Sequence, residues 1–183
     1  MLAAVHGVPG FNVTPANSMI TVRTQPVTDG GWSDGEILNT IREASSFWTV
    51  AAGIRIEPIL PIQHEDGGLY GTYSAVATAW GKEGATSTDW AEADRLMDFL
   101  PKGKHLTLFT PFLAQGVDGW GPVITAPSRH FGRGLVFLGG NASGSAACHE
   151  YGHTFGLRHT FLDVPLIGTL FAAPMPNIMG GIW

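Results

Sequence analysis

Cysteine is all but missing from this chain: Cys148 stands alone, so no internal disulfide framework can hold the fold. Charge is scarce too. Asp, Glu, Lys and Arg make up 14% of the residues, and Lys102 with Lys104 is the densest basic spot. At a net charge of −5, nucleic acid is excluded as an expected partner, because phosphate binding needs clustered cations. No apolar run approaches the roughly 20 residues that cross a bilayer, so no membrane partner is expected. The opening "MLAAVHGVPGF" lacks the charged n-region and sustained apolar core of a signal peptide. Internal repeats and low-complexity segments are absent as well.

What is present is apolar. Hydrophobic residues reach 44% of 183, enough to bury a core without staples, and one domain over 1–183 is expected. Residues 1–17 read as an irregular leader rich in Gly, Pro and Asn. "MITVRT" (19–24) alternates as a strand does, and "PVTDGGW" reads as the turn after it. Ser33 followed by Glu36 is a capping-box signature; Ile37, Ile41, Ala44, Trp48 and Ala51 then recur at helical spacing until Gly53. "IRIEPIL" (54–60) reads as the next strand. Glycines break up 61–88, where only "YSAVATAW" suggests a strand. A helix is predicted over 88–100, stopped by Pro101 and Gly103, and strands over 105–113, 119–127 and 134–140. Pro122 suits the middle of these three to a sheet edge, and "GLVFLGG" reads as buried. A last helix is predicted to begin between Asn141 and Ser145 and to run to about Gly156.

That helix carries "ACHEYGHTFGLRHTF" (147–161), which holds three of the seven histidines. His149 and His153 are four residues apart and share one helical face, so their imidazoles can converge on one cation. Glu150 stands next to the first ligand and can take a proton from a metal-bound water. Gly156 lets the chain leave the helix sharply, because glycine accepts the left-handed conformation. His159, three residues on, can then return toward the metal as a third ligand. Three histidines leave a fourth position open, which is what separates catalytic from structural zinc. Cys148 is turned about 100° from His149 on the helix and reads as a small buried hydrophobe. His64, His105 and His130 have no matching partners and are assigned to surface or strand positions.

"HEYGHTFGLRH" (149–159), with "PNIMGG" downstream, resembles the metzincin zinc metallopeptidases, and pappalysin-like members in flavour. The resemblance implies one Zn2+ held by His149, His153 and His159, Glu150 as general base, and Gly156 as the helix-terminating turn. It implies Met179, in preference to Met175, as the Met-turn residue beneath the ligands. It also implies an upper lobe over 18–159, a small irregular lower lobe over 160–183, and secretion. The chain departs from the pattern in three ways. Gly181 stands where some members carry tyrosine, only "GGIW" follows Met179, and no latency segment is recognisable.

The expected fold is therefore α+β and metzincin-like: a mixed twisted sheet, a backing helix, an active-site helix and a small irregular C-terminal lobe. The expected function is zinc-dependent hydrolysis of peptide bonds in a peptide or protein substrate by a monomer. Strand 119–127 would offer an edge for the extended peptide, and the apolar stretch 161–177 would line a side-chain pocket. Two rival readings keep the motif without this activity. One is a non-catalytic zinc-binding module, against which the presence of Glu150 speaks; the other is a latent peptidase domain of a larger assembly.

Overall fold

The computed structural model of the chain describes residues 19–65, 87–98, 104–111, 113, 118–122 and 133–157. In order they form β1 (Ile20–Thr28), α1 (Asp34–Ala52), β2 (Ile54–Pro58), β3 (Gln63–His64), α2 (Ser87–Asp98), β4 (Lys104–Phe109), β5 (Gly119–Trp120), β6 (Gly134–Leu138) and α3 (Gly144–Thr154). The architecture is α+β, built on one mixed sheet. Its order is β2-β1-β4-β6-β5, with β3 pairing β1 beside β2. Every pairing is parallel except the last, where β5 runs antiparallel to β6 with Gly119 opposite Leu138 and Trp120 opposite Phe137.

Strand β1 runs four residues beyond the predicted stop at Thr24, straight through Pro26. The reason lies in its neighbours. Thr24 and Thr28 turn their carbonyls toward β2 and β3, accepting from Ile59 and Glu65, so the missing N–H of Pro26 falls on that same side. It falls in a gap: β2 ends opposite Thr24 and β3 begins opposite Val27. The Gln25 side chain fills that gap, donating to the carbonyls of Pro26 and Pro61 at 3.1 Å. On the other side β4 stays in register from Arg23 to Thr28.

Helix α1 begins at the predicted capping box. The Ser33 N–H donates to Glu36 Oε2 at 2.8 Å, and the Glu36 N–H donates back to Ser33 Oγ at 3.3 Å. Gly53 ends it at φ +67°. Ile37, Ile41, Ala44 and Trp48 are the buried stripe, and they meet Phe109, Val136 and Leu138 of the sheet and Ala147, Cys148 and Tyr151 of α3. Helices α1 and α3 thus cover one sheet face. The opposite face, carrying Leu106, Leu108, Leu135 and Phe137, is buried too. Strand β6 is buried at every position, as its apolar run predicts.

Other elements are shorter than the sequence suggests. β2 stops at Pro58 and β4 at Phe109, while the predicted last two residues of α2, 99–100, lie outside the described residues. β5 pairs only at Gly119 and Trp120, while 123–127 lie outside the described residues. α3 starts at Gly144, within the predicted 141–145 window, because Ser143 takes extended backbone and caps the helix. The predicted leader 1–17, the strand "YSAVATAW" and the lower lobe 160–183 also lie outside the described residues.

Candidate metal centre

Helix α3 holds the central residues of the motif, and it is fixed from three sides. At its start the Ala146 N–H donates to Ser143 Oγ at 3.3 Å. Glu43 of α1 lies against Gly144, where any Cβ would overlap its carboxylate. A negative charge there suits the positive end of the helix dipole. In its middle, the Trp48 indole N–H donates to the Cys148 carbonyl at 3.0 Å. Beneath it, Tyr151 Oη, Thr107 Oγ1 and Thr24 Oγ1 form a buried hydroxyl chain with both links at 2.7 Å, joining α3 to β4 and β1. Burial pushes the Tyr151 phenol up to about 12, so it stays protonated and keeps its place in that chain.

With Ala147, Cys148 and Tyr151 spent on the core, the histidines take another flank. His149 and His153 are 3% and 9% exposed, and their rings meet edge to face with centroids 4.8 Å apart. Their Nε2 atoms are 3.1 Å apart. Two nitrogens on one tetrahedral zinc, each about 2.0–2.1 Å from it, would be separated by about 3.3 Å. The pair is spaced as such a site requires.

The end of the helix completes the orientation of His153. Gly156 takes φ +89°, in the left-handed region. The Leu157 N–H then donates to the Gly152 carbonyl at 3.0 Å and the Gly156 N–H to the His153 carbonyl at 2.9 Å, the two bonds of a Schellman stop. This turn brings the Leu157 carbonyl to 2.9 Å from His153 Nδ1. A carbonyl can only accept, so Nδ1 carries the proton and Nε2 presents its lone pair. The glycine that stops the helix thereby also selects the tautomer with its lone pair on Nε2.

Glu150 points elsewhere. It is 5% exposed, and its carboxylate lies against the backbone of β5, accepting from the Gly121 N–H. Burial pushes its carboxyl up to about 8, against the lowering effect of that bond. Sequence alone gives 119–127 as an edge strand and does not connect Gly119 and Gly121 with Glu150. Two glycines spaced by two in a strand are the available signal, because they mark a close approach to the backbone.

The two nitrogens therefore fit a metal ion. Among the described residues, no group of three His, Cys, Asp or Glu comes together as a metal-holding cluster. The third predicted ligand, His159, and the Met-turn residue Met179 lie outside the described residues, as do Met175, His130 and the stretch 161–177. Cys148 is buried, and desolvation pushes its thiol up to about 11, which keeps it an inert thiol. His64 is exposed and faces Asp34 at 3.1 Å. His105 is a strand residue, but a buried one: it is 7% exposed, and neither ring nitrogen has a partner among the described residues.

No protein-family model matches the chain, and no curated protein shows significant similarity to it. Among solved structures, the chain is similar to metalloproteinase-II from Bacteroides fragilis, with 18% identity and a TM-score of 0.47 over 81% of its length. The match spans 46% of that protein, a little under half. It is also similar to archaemetzincin from Methanopyrus kandleri, with 16% identity and a TM-score of 0.40, over 80% of this chain and 79% of that one. Both likenesses are coarse and leave the chemistry of the site to its own residues.

Proposed function

We propose that this protein is a zinc-dependent endopeptidase of the metzincin type. His149, His153 and His159 would hold one ion, with Met179 beneath them, and Glu150 would be the general base. The observation that carries the reading is the pair of Nε2 atoms 3.1 Å apart on one buried helical flank, one of them oriented by the Leu157 carbonyl. A bound zinc ion supplies Lewis acidity, lowering the pKa of water and polarising a carbonyl. Glu150 accepts the proton of the attacking water and returns it to the leaving amine. Its buried setting supports this role, since a desolvated carboxylate is the stronger base. Strand β5, last in the described sheet, offers the edge along which an extended peptide would lie. An extracellular location and a peptide or protein substrate belong to the same proposal.

Metal analysis paired with a peptide-library cleavage profile tests it. The purified protein should hold one zinc and cleave; Glu150→Ala should keep the zinc and lose about 100-fold or more of the turnover. A wild type that binds zinc yet is as inert as Glu150→Ala would instead be a zinc-binding module. A wild type that takes up no zinc would end the proposal.

A further inference from the structure

We infer that Gly119 and Gly121 are positioning residues for Glu150: Gly119 in β5, last strand of the described sheet, and Gly121 just beyond it form a slot that fixes where its carboxylate sits. The inference rests on the reading of Glu150 as general base. A Cβ built on Gly119 would lie 2.7 Å from Glu150 Cγ and 3.1 Å from Oε1. One built on Gly121 would lie 2.8 Å from the Glu150 carbonyl oxygen and 3.3 Å from Oε2. Real Cβ atoms do not come within 3.0 Å of such neighbours, so neither position accepts a side chain with Glu150 where it is.

The glycines are not there for backbone freedom. The described residues with positive φ are Gly30, Gly31, Gly53 and Gly156, and neither slot glycine is among them. What both positions require is room. Strand alternation puts 119 and 121 on one face, toward α3, and turns Trp120 to the other, where its ring lies 6.1 Å from that of Phe137. The Gly121 N–H then bonds the carboxylate that the missing side chains admit. Strand and base are therefore matched: the backbone that would guide a peptide also holds the group that would act on it.

The test is a double-mutant cycle on wild type, Gly119→Ala, Glu150→Ala and the double variant, reading zinc content, thermal midpoint and peptide turnover. Gly119→Ala should keep one zinc, because it touches no ligand, while kcat falls about 100-fold and KM changes little. Its thermal midpoint should fall by several degrees beside Glu150 and be unaffected in the Glu150→Ala background, where the clashing side chain is gone. If Gly119→Ala does not fold alone, recovery of folding in the double variant supports the slot equally. Equal destabilisation in both backgrounds, or a wild-type kcat in Gly119→Ala, overturns the inference. Should wild type cleave nothing, the peptidase reading fails by itself, and the thermal coupling still decides the slot.

Discussion

His153 shows how much of the proposed metal site one backbone carbonyl can set. Its ring is held through Nδ1, which donates to the Leu157 carbonyl at 2.9 Å, and this leaves Nε2 facing His149 Nε2 at 3.1 Å. That hold needs no charged partner, which suits a helix whose own Glu150 is turned toward β5. Replacing His153 with Gln removes the donor nitrogen and the tautomer selection together. Zinc affinity, measured by competition with a chromophoric chelator, should then fall by more than the roughly 10–100-fold that losing an outer partner alone costs. His149→Gln should fall as far. Binding equal to wild type in either variant would remove that residue from the ligand set.

At the scale of elements, the legible parts of the fold are those written into a few neighbouring residues. Ser33 and Glu36 announce the start of α1, Gly53 its end, and the run at 134–140 a buried strand, realised over 134–138, because each signal is local. The parts that are not legible depend on which element lies alongside. Pro26 reads as a turn residue unless one knows that its missing N–H faces the gap between β2 and β3. Gly119 and Gly121 read as weak strand residues until Glu150 is seen beside them. Among the candidate ligands, the i, i+4 spacing places His149 and His153 on one flank, whereas the Leu157 acceptor exists only because of how α3 stops. That stop can be tested as an element. Gly156→Ala forces a Cβ into φ +89°, which should cost about 1–2 kcal/mol in chemical denaturation. It should also weaken zinc binding about 10-fold or more by displacing the Leu157 carbonyl. Loss of stability with zinc affinity unchanged would separate the helix stop from the metal site.

At the scale of the molecule, the central strands β4 and β6 of the described sheet are buried on both faces, and a titratable ring is buried among them. His105, the second residue of β4, lies opposite Gly134, where any Cβ would strike the imidazole, and its ring centroid lies 6.0 Å from that of Phe155. With no partner for either nitrogen among the described residues, burial holds its pKa down at about 4 against an ordinary 6.5. The unfolded chain therefore binds a proton between these values that the folded chain refuses. Stability from this group is complete above about pH 6.5, falls as pH drops toward 4, and levels off below, for a total of about 3 kcal/mol. Glu150, raised from 4.5 to about 8, acts in the opposite sense in the zinc-free protein, its contribution declining as pH rises through that window. The two overlap between pH 4.5 and 6.5, so His105 has to be read as a difference. Urea unfolding of wild type and His105→Leu, both chelated, should give curves that run parallel above about pH 7 and converge or cross as pH falls to about 4, with the wild type losing the additional stability. Parallel curves over the whole range would mean that the ring is hydrated or paired in solution, and that this core is wetter than its packing indicates.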